Sequence, residues 1–137
     1  MQSSMRVALA LLPLTFPIAA CGDSTAPETV VGVYAMQSIN GSAPPAVVGQ
    51  DASGTLEVTG GQVSLNADQT FSDRTDFRFT DASTGAVTTT QDVATGTYTR
   101  SGNTVTLTPT GESPYSLTWD GSSLTQIVSG ISIIYSK

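Results

Sequence analysis

The residues able to do chemistry are few. The 137-residue chain has no histidine and a single cysteine, Cys21, and its only lysine is the last residue, Lys137. Without histidine the commonest general base and metal ligand is missing, so no Ser-His-Asp, Cys-His or zinc arrangement can be written. Carboxylates remain. A pair drawn from Asp73, Asp76 and Asp81 could act as acid and base or hold Ca²⁺, but the spacing lacks the oxygen-dense loop that such a cation requires. Arg74, Asp76 and Arg78 alternate along one stretch and could hold an anion, although such a ladder more simply forms a solvated face. The glycines lie between apolar runs and precede no helix, so no phosphate-binding loop is present. The expectation is a protein without catalytic residues, metal or cofactor.

The elements that carry these residues have a period of two. In residues 70–80, Phe71, Phe77 and Phe79 occupy odd positions and Arg74, Asp76 and Arg78 even ones, which sends rings to one side of a strand and charges to the other. Val105 and Leu107 alternate with threonines. Tyr115, Leu117 and Trp119 share a face, as do Ile131, Ile133 and Tyr135. Turn dipeptides separate the runs: Asn40-Gly41, Gly60-Gly61, Asp120-Gly121 and Ser129-Gly130. A break or bulge is expected near residues 94–96. The first run, 30–39, is expected to be covered on both faces. Residues 42–54, with Pro44-Pro45, are expected to form a long loop. Turns this short join antiparallel neighbours, which makes the protein all-β, an up-and-down meander of about eight strands. One apolar face per strand requires the sheet to close into a small barrel; a β-sandwich is the alternative.

The N-terminus reads as a targeting segment. Arg6 precedes an apolar stretch, residues 7–18, that is shorter than a membrane span and contains Pro13 and Pro17. Beyond residue 20, four basic residues against eleven acidic ones leave a formal charge of −7. That balance argues against nucleic acid as a partner. Cys21 has no partner in the chain, and an unpaired thiol in an exported protein calls for an explanation.

Ile18-Ala19-Ala20-Cys21 resembles the lipobox of bacterial lipoproteins. The resemblance implies a signal peptide at residues 1–20, cleavage before Cys21, and lipid on its sulfur. Residues 21–29 would be a tether and 30–137 the domain. Gly22 follows the cysteine, with Asp23 next, which by the sorting rule of that family favours the outer membrane over the inner. The domain itself resembles the lipocalin-like domains of bacterial envelope lipoproteins. The likeness rests on Gly32-Val33-Tyr34, on Ser38-Ile39-Asn40-Gly41, and on Leu65-Asn66-Ala67-Asp68-Gln69-Thr70-Phe71. It continues through Gly96-Thr97-Tyr98, Ser101-Gly102-Asn103-Thr104-Val105 and the hairpin at 124–135. Tyr34 stands where lipocalins have Trp, and Gln69 where Gly is usual. The implied fold is a lipocalin-like barrel.

An eight-stranded barrel can hold one small ligand. Tyr34, Phe77, Phe79, Tyr98, Trp119 and Tyr135 are the candidate lining residues for a small hydrophobic molecule, with residues 42–54 over the mouth. Their competing role is core packing, at ~1.5–3 kcal/mol each when buried. The second functional class is a structural or interaction module of the envelope, inhibitor-like, with a filled barrel and an envelope protein as partner. Interior volume separates the two.

Overall fold

The computed structural model describes residues 28–137. The expectations for the signal peptide, for Cys21 and for most of the tether fall outside them. Among the described residues nine strands follow one another: β1 Gly32–Ile39, β2 Ala46–Gln50, β3 Gly54–Leu65, β4 Thr70–Asp81 and β5 Val87–Ser101, then β6 Thr104–Pro109, β7 Tyr115–Trp119, β8 Ser123–Val128 and β9 Ile131–Ser136. All pairings are antiparallel. The sheet order is β1-β9-β8-β7-β6-β5-β4-β3-β2, and β1 also pairs with β3. That last pairing closes an eight-stranded up-and-down barrel and leaves β2 as an extra strand on β3.

The turns follow from their residues. Asn40 and Gly41 both have positive φ, 49° and 81°, as do Ser129 and Gly130, 49° and 82°, the backbone of the two-residue hairpin turn that matches strand twist. Gln69 adopts φ 66° where glycine would be easier. The turn still closes, with the Gln69 amide donating to the Asn66 carbonyl and the Asn66 amide to that of Thr70.

Four expectations change. Gly60-Gly61 lies within one continuous strand, next to a bulge at Thr59, since the β3–β4 register shifts between Val58 and Gly60 and continues to Leu65. The extra residue moves the inward positions from even (Val58) to odd (Val63, Leu65), so one strand keeps both apolar runs inside. A Cβ on Gly61 would lie 2.6 Å from Met36 Cε and 2.8 Å from the Arg74 carbonyl oxygen, which explains the glycine. Residues 42–54 contain β2, because Ala46–Gln50 finds the outer edge of β3 to bond with. Of its valines, Val48 packs on the core and Val47 is exposed. β1 is covered on one face only: Tyr34 and Met36 are buried while Val33 is 55% exposed. The β4–β5 ladder runs unbroken from Val87 to Thr97, so no break occurs at 94–96. Gly96 is needed there because the Thr108–Pro109 backbone crosses directly against it.

Candidate functional site

The barrel interior divides along its axis. The half beside Val30 and Lys137 is filled by Tyr34, Leu65, Phe71, Tyr98, Leu117 and Trp119, all buried. The Tyr34 hydroxyl donates to the Val30 carbonyl at 2.6 Å and the Tyr98 hydroxyl to that of Asn66 at 2.8 Å. Burial, with lesser contributions from Asp68 and Tyr34, raises the pKa of Tyr98. Cations cap this end: Arg100 stacks over the Trp119 ring at 4.1 Å and Lys137 lies 5.1 Å from the centre of Tyr34. The same two side chains donate to the carbonyls of Glu28 and Thr29, so the end of the expected tether is held against the closed end.

The opposite half is open. A cavity of about 360 Å³ is lined by residues of β1, β2, β3, β4, β5, β7, β8 and β9. Its apolar wall includes Ile39, Val48, Val58, Phe77, Ile131 and Ile133, and its polar groups come from Asp73, Asp92, Glu112, Tyr115 and Gln126. None of its lining residues is Arg or Lys. The mouth points away from Val30 and Lys137, because the Asn40-Gly41 and Ser129-Gly130 turns and the β6–β7 connection all lie at this end.

Asp73 is the polar centre. It sits on β4 in phase with Phe71 and Phe77, so strand alternation carries its carboxylate inside. The Tyr115 hydroxyl donates to Oδ2 at 2.6 Å, while Oδ1 is buried with no hydrogen-bond partner. Burial raises the Asp73 pKa, the Tyr115 bond opposes that shift, and the nearby charge of Asp92 adds to it. Asp92 reaches the same space from β5, where it stands opposite Thr75. Burial, and then the Asp73 carboxylate as acceptor and charge, hold the Tyr115 hydroxyl in its protonated form far above the ordinary tyrosine range. Burial does the same to Tyr135, with Asp73 again contributing.

Of the residues proposed from sequence to line a pocket, Phe77 and Tyr135 do so. Tyr34, Tyr98 and Trp119 belong to the filled half. Phe79 pairs with Leu56 further along the β3–β4 ribbon, outside the cavity lining. The carboxylates considered together are separated by the fold. Asp73 faces inward. Asp76 lies on the outer surface with Arg74 at 3.4 Å and accepts from Gln91. Asp81 closes the β4–β5 turn by accepting from Ser83 and Thr84, bonds that hold its pKa down at about 2. The Arg-Asp-Arg ladder is the solvated face expected, with Arg78 paired to Glu57 at 2.7 Å. Sequence reasoning missed Asp92, Glu112 and Gln126 as lining groups, and placed Tyr115 inward without its partner. The signal for Asp73 was its odd position between Phe71 and Phe77. The chain matches no family model, no curated protein and no solved structure in comparisons with each.

Proposed function

We propose that this protein is a lipid-anchored envelope lipoprotein whose barrel binds a small, mostly apolar molecule carrying an ammonium or another hydrogen-bond donor. The observation that carries the reading is the cavity of about 360 Å³ with Asp73 in its wall, one carboxylate oxygen without a partner and no basic residue in the lining. A buried acceptor left unpaired costs about 1–3 kcal/mol, which a ligand donor would recover once rotation of the Asp73 side chain turns that oxygen into the cavity. An apolar body with one or two polar anchors is the usual chemistry of such pockets. The volume is at the lower end of the ~300–1,000 Å³ common for ligand sites, so the ligand is small. A fatty acid fits poorly, since its carboxylate would face Asp73, Asp92 and Glu112.

The lipobox resemblance supplies the anchor, on Cys21, with the outer membrane preferred. Two or more acyl chains hold a protein stably on a bilayer. Binding is the proposed role and catalysis is not, because the inward-facing Asp73 carboxyl is tied to a tyrosine held protonated. The lipocalin-like assignment belongs to the same proposal and rests on the motifs and on the closed eight-stranded meander.

Fluorescent apolar probes with cationic, neutral and anionic heads, titrated into the purified protein, test the reading. Saturable one-site binding of the cationic probe, weakened in Asp73→Asn, is expected. Absence of saturable binding by any probe leaves the structural or protein-interaction module as the function.

A further inference from the structure

The β3–β4–β5 strands run past the barrel as a ribbon, and its outer edge is bare. β6 pairs with β5 only from Gly96 to Ser101, and beyond that the Thr110 amide takes the Thr95 carbonyl. From Val87 to Val93, β5 is bonded on one side alone, to β4. Every residue of that stretch is exposed, Val87 by 58% and Val93 by 51%. Long strand edges are normally blunted by lysine, proline or a bulge. The other free edge is treated that way: β2 has five residues, follows Pro44-Pro45 and carries a register shift between Val47 and Gly49. The β5 edge has none of these, since its ladder to β4 is unshifted and Asp92 is its only charge.

We propose that the chain pairs with a second copy of itself along this edge, antiparallel, about a two-fold axis at Thr90. The backbone selects the register. The Tyr98 amide donates to Gln69 on the β4 side, and the Thr95 carbonyl accepts from Thr110 on the β6 side. Alternate residues of an unbulged strand point their amides and carbonyls to opposite sides, so Val87, Thr89, Gln91 and Val93 offer theirs to solvent. An axis at Thr90 sets Val87 against Val93 of the second copy and Thr89 against Gln91, so all four find partners and form about eight hydrogen bonds. An axis shifted one residue either way leaves outward groups unmatched or falls on the occupied Thr95.

Side chains agree with that register. The outer face brings the two exposed valines together at each end of the ladder, with Thr89 and Gln91 between them, and apolar cross-strand pairs are the favourable kind. On the other face Asp92 stands opposite Thr88. The two Asp92 carboxylates are then about 13 Å apart along the strands, farther than charges interact strongly at physiological salt. The proposal is independent of the cavity and of its ligand.

Disulfide trapping in the full chain purified in detergent tests it. Opposed non-hydrogen-bonded residues have Cα atoms about 4.5 Å apart, within disulfide reach, so Thr90→Cys should oxidise to a covalent dimer. Thr88→Cys, whose copies stay about 13 Å apart, should not. Wild type, with Cys21 alone, gives the background. Adding Thr89→Pro to Thr90→Cys removes an outward amide without touching the β4 ladder, and the crosslink should be lost while the circular dichroism spectrum persists. Sedimentation of unmodified wild type should show a dimer that dissociates on dilution. Equal crosslinking by Thr88→Cys and Thr90→Cys, or a wild-type monomer at every concentration, would overturn the proposal.

Discussion

Asp73→Asn should make the protein more stable at neutral pH, although it removes a residue of the proposed site. In the folded chain the Asp73 side chain is half-buried, accepts one bond from Tyr115 on Oδ2, leaves the buried Oδ1 unpaired, and has a raised pKa. Below the unfolded-state pKa of about 3.9 both folded and unfolded chains hold the proton, and the group contributes nothing to pH dependence. As pH rises past that value the unfolded chain ionises first. Stability therefore falls until the folded-state pKa is passed, then stays level. The introduced amide keeps an acceptor for Tyr115 and replaces a charged orphan with a neutral one. Since the amide nitrogen also lacks a partner, the gain lies at the low end for such exchanges, about 1 kcal/mol. For a domain of this size that is a rise of roughly 4–8 °C in Tm. Thermal melts of wild type and variant from pH 3 to pH 8 should coincide at the acid end and separate above it. A variant no more stable than wild type at pH 7, or an equal gap at pH 3, would refute the burial argument.

Three further outcomes follow from the same geometry. Tyr115→Phe removes the one donor that Asp73 has among the described residues and should cost about 1–3 kcal/mol at pH 7, with the loss shrinking in melts as the pH falls through the raised folded-state pKa and the carboxyl takes up its proton. Gly61→Ala drives a Cβ toward Met36 and the Arg74 carbonyl, and urea unfolding should show about 1–3 kcal/mol of destabilisation from overpacking beside the bulge. Gln69→Gly relieves a left-handed backbone in an exposed turn and should raise the urea midpoint, by about 0.5–1 kcal/mol in free energy.

Alternation made the barrel legible. Tyr115-Leu117-Trp119 and Ile131-Ile133-Tyr135 each declare an inward face, and short turns leave antiparallel neighbours as the only option. The bulge was less visible, because Gly60-Gly61 between two apolar runs has the composition of a turn. The change from even to odd positions between Val58 and Val63 was the clue that the strand continues. Exposure of residues 87–93 could not be foreseen, since a Thr-rich strand reads the same inside a sheet or at its edge. The site was half legible. Asp73 shares its phase with Phe71 and Phe77, yet it was grouped with Asp76 and Asp81 by closeness in sequence, which ignores that Asp76 is out of phase with it and that Asp81 lies at the far end of the strand, in the turn. Its partner Tyr115 is 42 residues away, a contact that only closure of the sheet creates.

The measurement that bears most directly on the account is native mass spectrometry of the detergent-purified protein with a cationic and an anionic apolar probe supplied together. The cavity should retain one cationic probe per barrel, with the anionic probe excluded, and Ala94→Trp, which fills the cavity from β5, should release it. Retention of the anionic probe, or a bare chain mass under all conditions, would contradict the assignment of a ligand site around Asp73.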